Sequence, residues 1–210
     1  MTYSLIEIFN EIVKEYLVPY FKSKGFKKQN LNFYKEEKGL TFLINFQKST
    51  SNSVDYVRFY INCSIYSAEV TSTIGEDVLP NPKHYDCLFN ERFERITGSK
   101  NQEFELLSSH EKSKTILVND VINELDKVLD FFSTINSNDD LVDTCIEGDT
   151  YFWRQLFTYL AIKKDIKRLD KYIERYGDIF KGDKRQQWFE TEINIILREN
   201  SIEPMKFKAE

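Results

Sequence analysis

Cysteine is scarce in this 210-residue chain: Cys63, Cys87 and Cys145 are odd in number, widely spaced and free of any C-x-x-C pair. No disulfide framework is expected, and a reducing compartment is implied. Histidine is scarcer still, with only His84 and His110, so a four-ligand zinc site has few donors to draw on. No apolar run approaches the roughly 18 residues that a membrane-spanning helix needs. The opening MTYSLIEIFNEIV carries acids inside its apolar run and has no basic start, unlike a signal peptide. Positive charge is also short, with 29 Lys and Arg against 34 Asp and Glu, a net −5. A general nucleic-acid or anionic-membrane binder needs the opposite surplus. No complete catalytic, metal or phosphate-binding motif occurs, so no cofactor and no metal is expected, and the expected setting is the cytoplasm.

What the chain has in quantity is apolar and aromatic side chains, 41% and 15%, with 30% charged. That is a globular composition with a core rich in Phe and Tyr. Residues 25–67 organise it, as three antiparallel strands. In the third, Val57, Phe59, Ile61, Cys63 and Ile65 alternate with Tyr56, Arg58, Tyr60, Asn62, Ser64 and Tyr66, the period of a sheet with one buried face. The second strand, 40–48, sends Phe42, Ile44 and Phe46 one way and Leu43, Asn45 and Gln47 the other. The first spans 31–36, and Glu37-Lys38-Gly39 turns the hairpin, with Gly39 supplying the positive φ of a bulged loop.

Around this sheet the period changes to helical. Leu5, Ile8, Phe9, Ile12, Val13, Tyr16, Leu17 and Tyr20 share a face, Ser4 and Glu7 form a capping box, Pro19 predicts a kink or an end, and Gly25 a stop. Residues 68–82, punctuated by Gly75, Pro80 and Pro82, read as a loop. Strands follow at 88–96 and near 103–107. Val118, Val121, Ile122, Leu125, Val128, Leu129 and Phe132 mark a second long helix over 118–132, the natural partner of the first on the sheet. Beyond residue 135 the chain reads as helix only: one helix closed by Gly148, a pair over 150–164 and 166–176 with Gly177 as its stop, and a last one over 185–198. The expectation is an α+β fold, with an antiparallel sheet of four or five strands covered on one face by two long helices. Residues 1–135 form that domain, 136–200 a helical extension, and 201–210 a loose tail.

The strand region carries a resemblance as well. GFKK from Gly25, NFY from Asn32, INFQKS closing the second strand and FYIN from Phe59 resemble the bacterial domain-of-unknown-function 4304 family over about the first 130 residues. A later landmark, an Arg followed by a Trp-containing strand, is met in part by Arg92, Arg95 and Phe104. The resemblance implies a sheet flanked by helices and brings no established activity or catalytic residues.

Five stretches invite a functional reading, each beside a plainer one. Asn45, Gln47, Arg58, Tyr60 and Asn62, with Lys48 at the rim, converge on the unburied sheet face and suit recognition of a partner; alternatively this is an ordinary solvated face. Gln47-Lys48-Ser49 places a Lys and a Ser at a strand end, without a base or an oxyanion site in view. His84, Asp86 and Cys87 are a metal fragment short of ligands, or simply loop packing. Asp139, Asp143 and Glu147 share a helix face, which is either favourable to the helix dipole or a dock for a basic partner. Lys163, Lys164, Lys167, Arg168 and Lys171 form the most basic stretch, interleaved with Asp165, Asp170 and Glu174 as a solvated face would be. The functional expectation is a noncatalytic protein-interaction module of immunity or regulatory type. The alternatives are a hydrolase or transferase built on the polar face and the 68–87 loop, and a single-stranded nucleic-acid binder using Arg58 and Tyr60.

Overall fold

The computed structural model describes residues 4–107, 113–148, 152–180 and 185–205. The chain starts as read. Ser4 Oγ accepts the Glu7 N–H while Glu7 Oε2 accepts the Ser4 N–H at 2.8 Å, which caps α1 (Leu5–Ile12) and buries Leu5, Phe9 and Ile12. Pro19 does not end the helix. The turn ahead of it, Val13–Leu17, widens to π geometry, with Val18 N–H bonded to Val13 O, and α2 (Val18–Ser23) continues. A widened turn accommodates a missing N–H and a crowding ring that a regular α turn does not. Gly25, at φ 86°, then stops it as expected. Gly25 N–H bonds Lys22 O, Phe26 N–H bonds Phe21 O, and the Phe21 and Phe26 rings touch at 5.4 Å, the apolar contact that accompanies such a stop.

Among the described residues, six strands form one antiparallel sheet. β1 (Lys27–Gln29) turns at Asn30 into β2 (Asn32–Glu37). Lys38 and Gly39 both take positive φ, 56° and 77°, with Glu37 paired to Leu40, so the next hairpin is a tight two-residue turn rather than a bulged loop. β3 (Leu40–Lys48) then pairs along its whole length with β4 (Tyr56–Ser67). On the far side of β4 two short strands lie end to end. β5 (Phe89–Arg92) pairs with residues 62–65 and β6 (Phe104–Leu107) with residues 56–59. The expected single strand over 88–96 is therefore cut short, because α4 (Phe93–Thr97) intervenes and Gly98, at φ 69°, ends it. Residues 68–82 likewise begin with a helix, α3 (Ala68–Thr73), whose Val70 N–H is capped by Ser67 Oγ at 3.0 Å.

One sheet face is the core. Val57, Phe59, Ile61, Cys63 and Ile65 have no exposed surface, nor have Phe9, Ile12, Val121 or Leu125. Phe9 meets Phe59, Phe21 stacks on Phe33, and Phe59 stacks on Phe104. The cover is α1, α2 and α5 (Ser113–Thr134). None of the described helices is long and apolar enough to cross a membrane.

The C-terminal region is helical: α6 (Asn138–Glu147), α7 (Trp153–Lys163), α8 (Ile166–Phe180) and α9 (Arg185–Glu199). Ser137 caps α6 and Gly148 closes it. Gly177 does not stop α8, which runs through it. The core of these helices is continuous with that of the sheet. Polar groups reinforce the join at Glu69 of α3, whose carboxylate accepts from Tyr159 at 3.0 Å and from Asn138 at 2.6 Å and pairs with Lys163. In α9 it is Phe189, Ile193, Ile196 and Leu197 that are buried, while Trp188 and Ile195 are exposed. The expected loose tail is partly docked, since Asn194 exchanges two hydrogen bonds with the backbone of Met205.

Candidate recognition surface on the second sheet face

Alternation along β3 and β4 sends Thr41, Leu43, Asn45 and Gln47, with Arg58, Tyr60, Asn62, Ser64 and Tyr66, away from the α1–α5 side. Part of this face is roofed. Leu43, Tyr66 and Cys87 form a small separate cluster, and Tyr66 OH accepts the Leu79 N–H at 2.9 Å, which ties the 76–88 segment down over the sheet. The Cys87 Sγ–H reaches Lys83 O, and burial pushes its thiol well up.

The remaining part carries a ladder of amides. Register places Asn32 opposite Asn45, Asn45 opposite Asn62, and Asn62 opposite Arg92, so one row crosses four strands. Asn45 Nδ2 donates to Asn32 Oδ1 at 2.6 Å, and Asn62 Nδ2 donates to Asn45 Oδ1 at 2.8 Å and to Gln47 Oε1 at 3.2 Å. Each amide thus fixes the orientation of the next, and Asn62 can be buried to 5% exposure at little desolvation cost. The row ends on Arg92. Its guanidinium lies 4.3 Å from the Tyr60 ring centre, and Nη2 reaches the shared Gln47 Oε1 at 3.4 Å. Nη1 is buried and has no hydrogen-bond partner among the described residues, a state that costs about 1–3 kcal/mol if left unrelieved. Beside it, Ser64 Oγ donates to Asn90 Oδ1 at 2.9 Å. His84 is kept below its ordinary pKa by burial, and the Arg92 charge adds to that.

The six residues singled out from sequence divide. Asn45, Gln47, Tyr60 and Asn62 form or flank the ladder. Arg58 shares the face but is already engaged: Nε donates to Tyr56 OH and lies 3.1 Å from Glu103, and Nη2 lies 3.2 Å from Glu105. Lys48 belongs to the other face. It is paired with Phe59, and its ammonium sits 5.8 Å from the Phe9 ring centre, because an even position in β3 shares the side of Phe42, Ile44 and Phe46. Arg92, Asn32 and Asn90 escaped notice as site residues. The visible signal was the alternation of Phe89 and Phe93 with Asn90 and Arg92.

The other candidates resolve within the chain. Ser49 Oγ accepts the Ser51 N–H, the part of a loop-shaping hydroxyl. Among the described residues no three His, Cys, Asp or Glu are placed to hold a metal ion, and His110 lies outside them. The acidic face of α6 does meet a basic partner, namely α8. Arg168 lies 2.7 Å from Asp139, 2.8 Å from Asp143 and 3.1 Å from Asp165, and Lys171 pairs with Glu147. The Arg168 guanidinium holds the Asp143 carboxyl below its usual range. A cavity of about 180 Å³ lies beside the roofing segment, lined by Tyr66, Thr71, Glu76, Asp77 and Phe152 among others; its lining includes no serine–histidine or cysteine–histidine pair.

A family model described as "Domain of unknown function (DUF4304)" matches residues 17–134. No curated protein and no solved structure matches the chain. The matched span contains every described strand and every residue of the amide ladder, and it ends before α6.

Proposed function

Because the chain belongs to the domain-of-unknown-function 4304 family, whose description carries no activity, we propose a function from the geometry alone: a noncatalytic protein-interaction module that recognises its partner through the open part of the second sheet face. The observation that carries this reading is the amide ladder ending on Arg92. Mutually oriented Asn and Gln side chains, a tyrosine ring and an arginine present directional hydrogen bonds and a rigid aromatic at low ordering cost, as recognition surfaces do. A face kept only for solubility has no need of such order. Ser64, the hydroxyl beside the ladder, spends its proton on Asn90 Oδ1, which leaves the hydrolase reading with less support, and the engagement of Arg58 by Glu103 and Glu105 does the same for the nucleic-acid reading. Three buried cysteines without a disulfide suit the cytoplasm, and an immunity or regulatory role in a bacterial cell is the setting in which a small acidic binder of this kind fits.

A photo-crosslinking side chain placed at position 47 or 60 tests the reading in native lysate. The expected result is a discrete protein adduct from both positions and none from Ile116, an exposed position on α5. Adducts from position 116 alone, or none from 47 and 60, overturn it.

A further inference from the structure

We propose that Arg92 is the anchor for a carboxylate, and that the partner presents an Asp or Glu side chain to the ladder. This rests on the reading above and gives its partner a chemistry. Three arginines make the comparison. Arg58 has Glu103 and Glu105, and Arg168 has Asp139, Asp143 and Asp165. Arg92 has no ion pair among the described residues, although the chain holds 34 acidic side chains to 29 basic ones. A guanidinium stays charged at any physiological pH. Its centre lies over the Tyr60 ring, and its Nη2 leans on an amide oxygen that Asn62 already uses. That bond, long at 3.4 Å, lies on the exposed edge of the guanidinium, and Nη2 is the donor an incoming anion would meet; Nη1, buried behind it, has no acceptor of its own, so the charge lacks compensation from within the described residues.

The surroundings select the kind of anion. Arg92 supplies one positive charge, the rest of the ladder is neutral, and Lys48 is turned to the opposite face. Asp86 beside the His84 turn is spent on the Lys83 N–H, and His84 is held toward its neutral form by burial. A phosphate dianion ordinarily draws several cations or a helix N-terminus, whereas one planar guanidinium matches one planar carboxylate. The acceptor is therefore a carboxylate, and the side-chain amides beside it read the neighbouring groups of the same segment.

The test is selection of a random peptide library, free and with a phosphoserine-containing arm, on the full chain, followed by affinity measurements on Arg92→Gln, Arg92→Lys and Tyr60→Ala variants whose folding is checked by circular dichroism. The expected result is a recurring Asp or Glu whose change to Asn or Gln weakens binding by about tenfold or more, as a charge-assisted bond would. The same peptide change has no effect on Arg92→Gln, and Arg92→Lys recovers part of the affinity. Peptides that need Tyr60 but ignore Arg92→Gln overturn the carboxylate anchor and leave the face as an interaction surface. Preferred phosphoserine peptides overturn the choice of anion. Peptides insensitive to both Tyr60→Ala and Arg92→Gln, or no peptides at all, remove the proposed function with it.

Discussion

Arg168 holds Asp143 in a two-bond fork, Nε to Oδ1 at 2.8 Å and Nη2 to Oδ2 at 2.9 Å, so that α8 is pinned to α6 by a planar pair. Asp139 and Asp165 add single bonds to Nη1. Arg168→Gln is expected to lower stability by about 1 kcal/mol, since the carboxylates are half exposed and water screens them. A double-mutant cycle with Asp143→Asn, read from urea midpoints, should show a coupling that shrinks as salt is added.

The core assignment is tested at Ile61, which has no exposed surface and lies opposite Phe46. Ile61→Ala should cost about 2–5 kcal/mol. An unchanged urea midpoint would mean that the two sheet faces had been interchanged.

His84 gives a pH dependence. Burial first, then the Arg92 charge, keeps its folded pKa below the ordinary 6.5, so the unfolded chain takes up the proton more readily. The associated stability is present above about pH 6.5 and is lost as pH falls below that value toward the folded pKa. Urea midpoints between pH 7.5 and 5 should fall in the native chain and fall less in His84→Gln. Paired carboxylates such as Asp143, also held low, act at more acid pH.

Cys63, Cys87 and Cys145 are all buried, and burial raises the thiols of Cys63 and Cys87 well above their usual range. Iodoacetamide at neutral pH should modify none of the three in the folded protein and all three in denaturant, as counted by mass. Fast modification of Cys87 in the folded state would show that the 76–88 roof opens readily.

The sheet was legible where one face is wet and the other dry, because period-2 alternation along β3 and β4 then leaves no other assignment. The break at Phe93 was not. Phe89 and Phe93 are four apart, a spacing that places both on one face of a strand and on one face of a helix, so the pattern cannot say where β5 becomes α4. α3 is too short to show a helical period, and its Val and two Thr favour strands. Gly177 reads as a stop, yet the roughly 1 kcal/mol that a glycine costs inside a helix is outweighed by burial of Tyr172 and Tyr176 along α8. The open face was legible as polar, but its division into an engaged Arg58 and an uncompensated Arg92 depends on tertiary neighbours. The match between the acids of α6 and the bases of α8 was hidden for the same reason. The acids look like a docking surface until the bases are beside them.

The end-to-end placement of β5 and β6 along β4 bears on the order in which the sheet assembles. β3 and β4 are joined by a short loop and can zip at once, whereas the far edge of β4 waits for residues 89–92 and 104–107 to return across longer spans. Loop closure makes those later pairings slower. Core truncations in the β3–β4 hairpin, such as at Phe46, should therefore slow folding, while truncations at Phe104 should chiefly hasten unfolding. β4, held on both edges only when the last strand has arrived, is the segment whose amides should exchange with solvent most slowly.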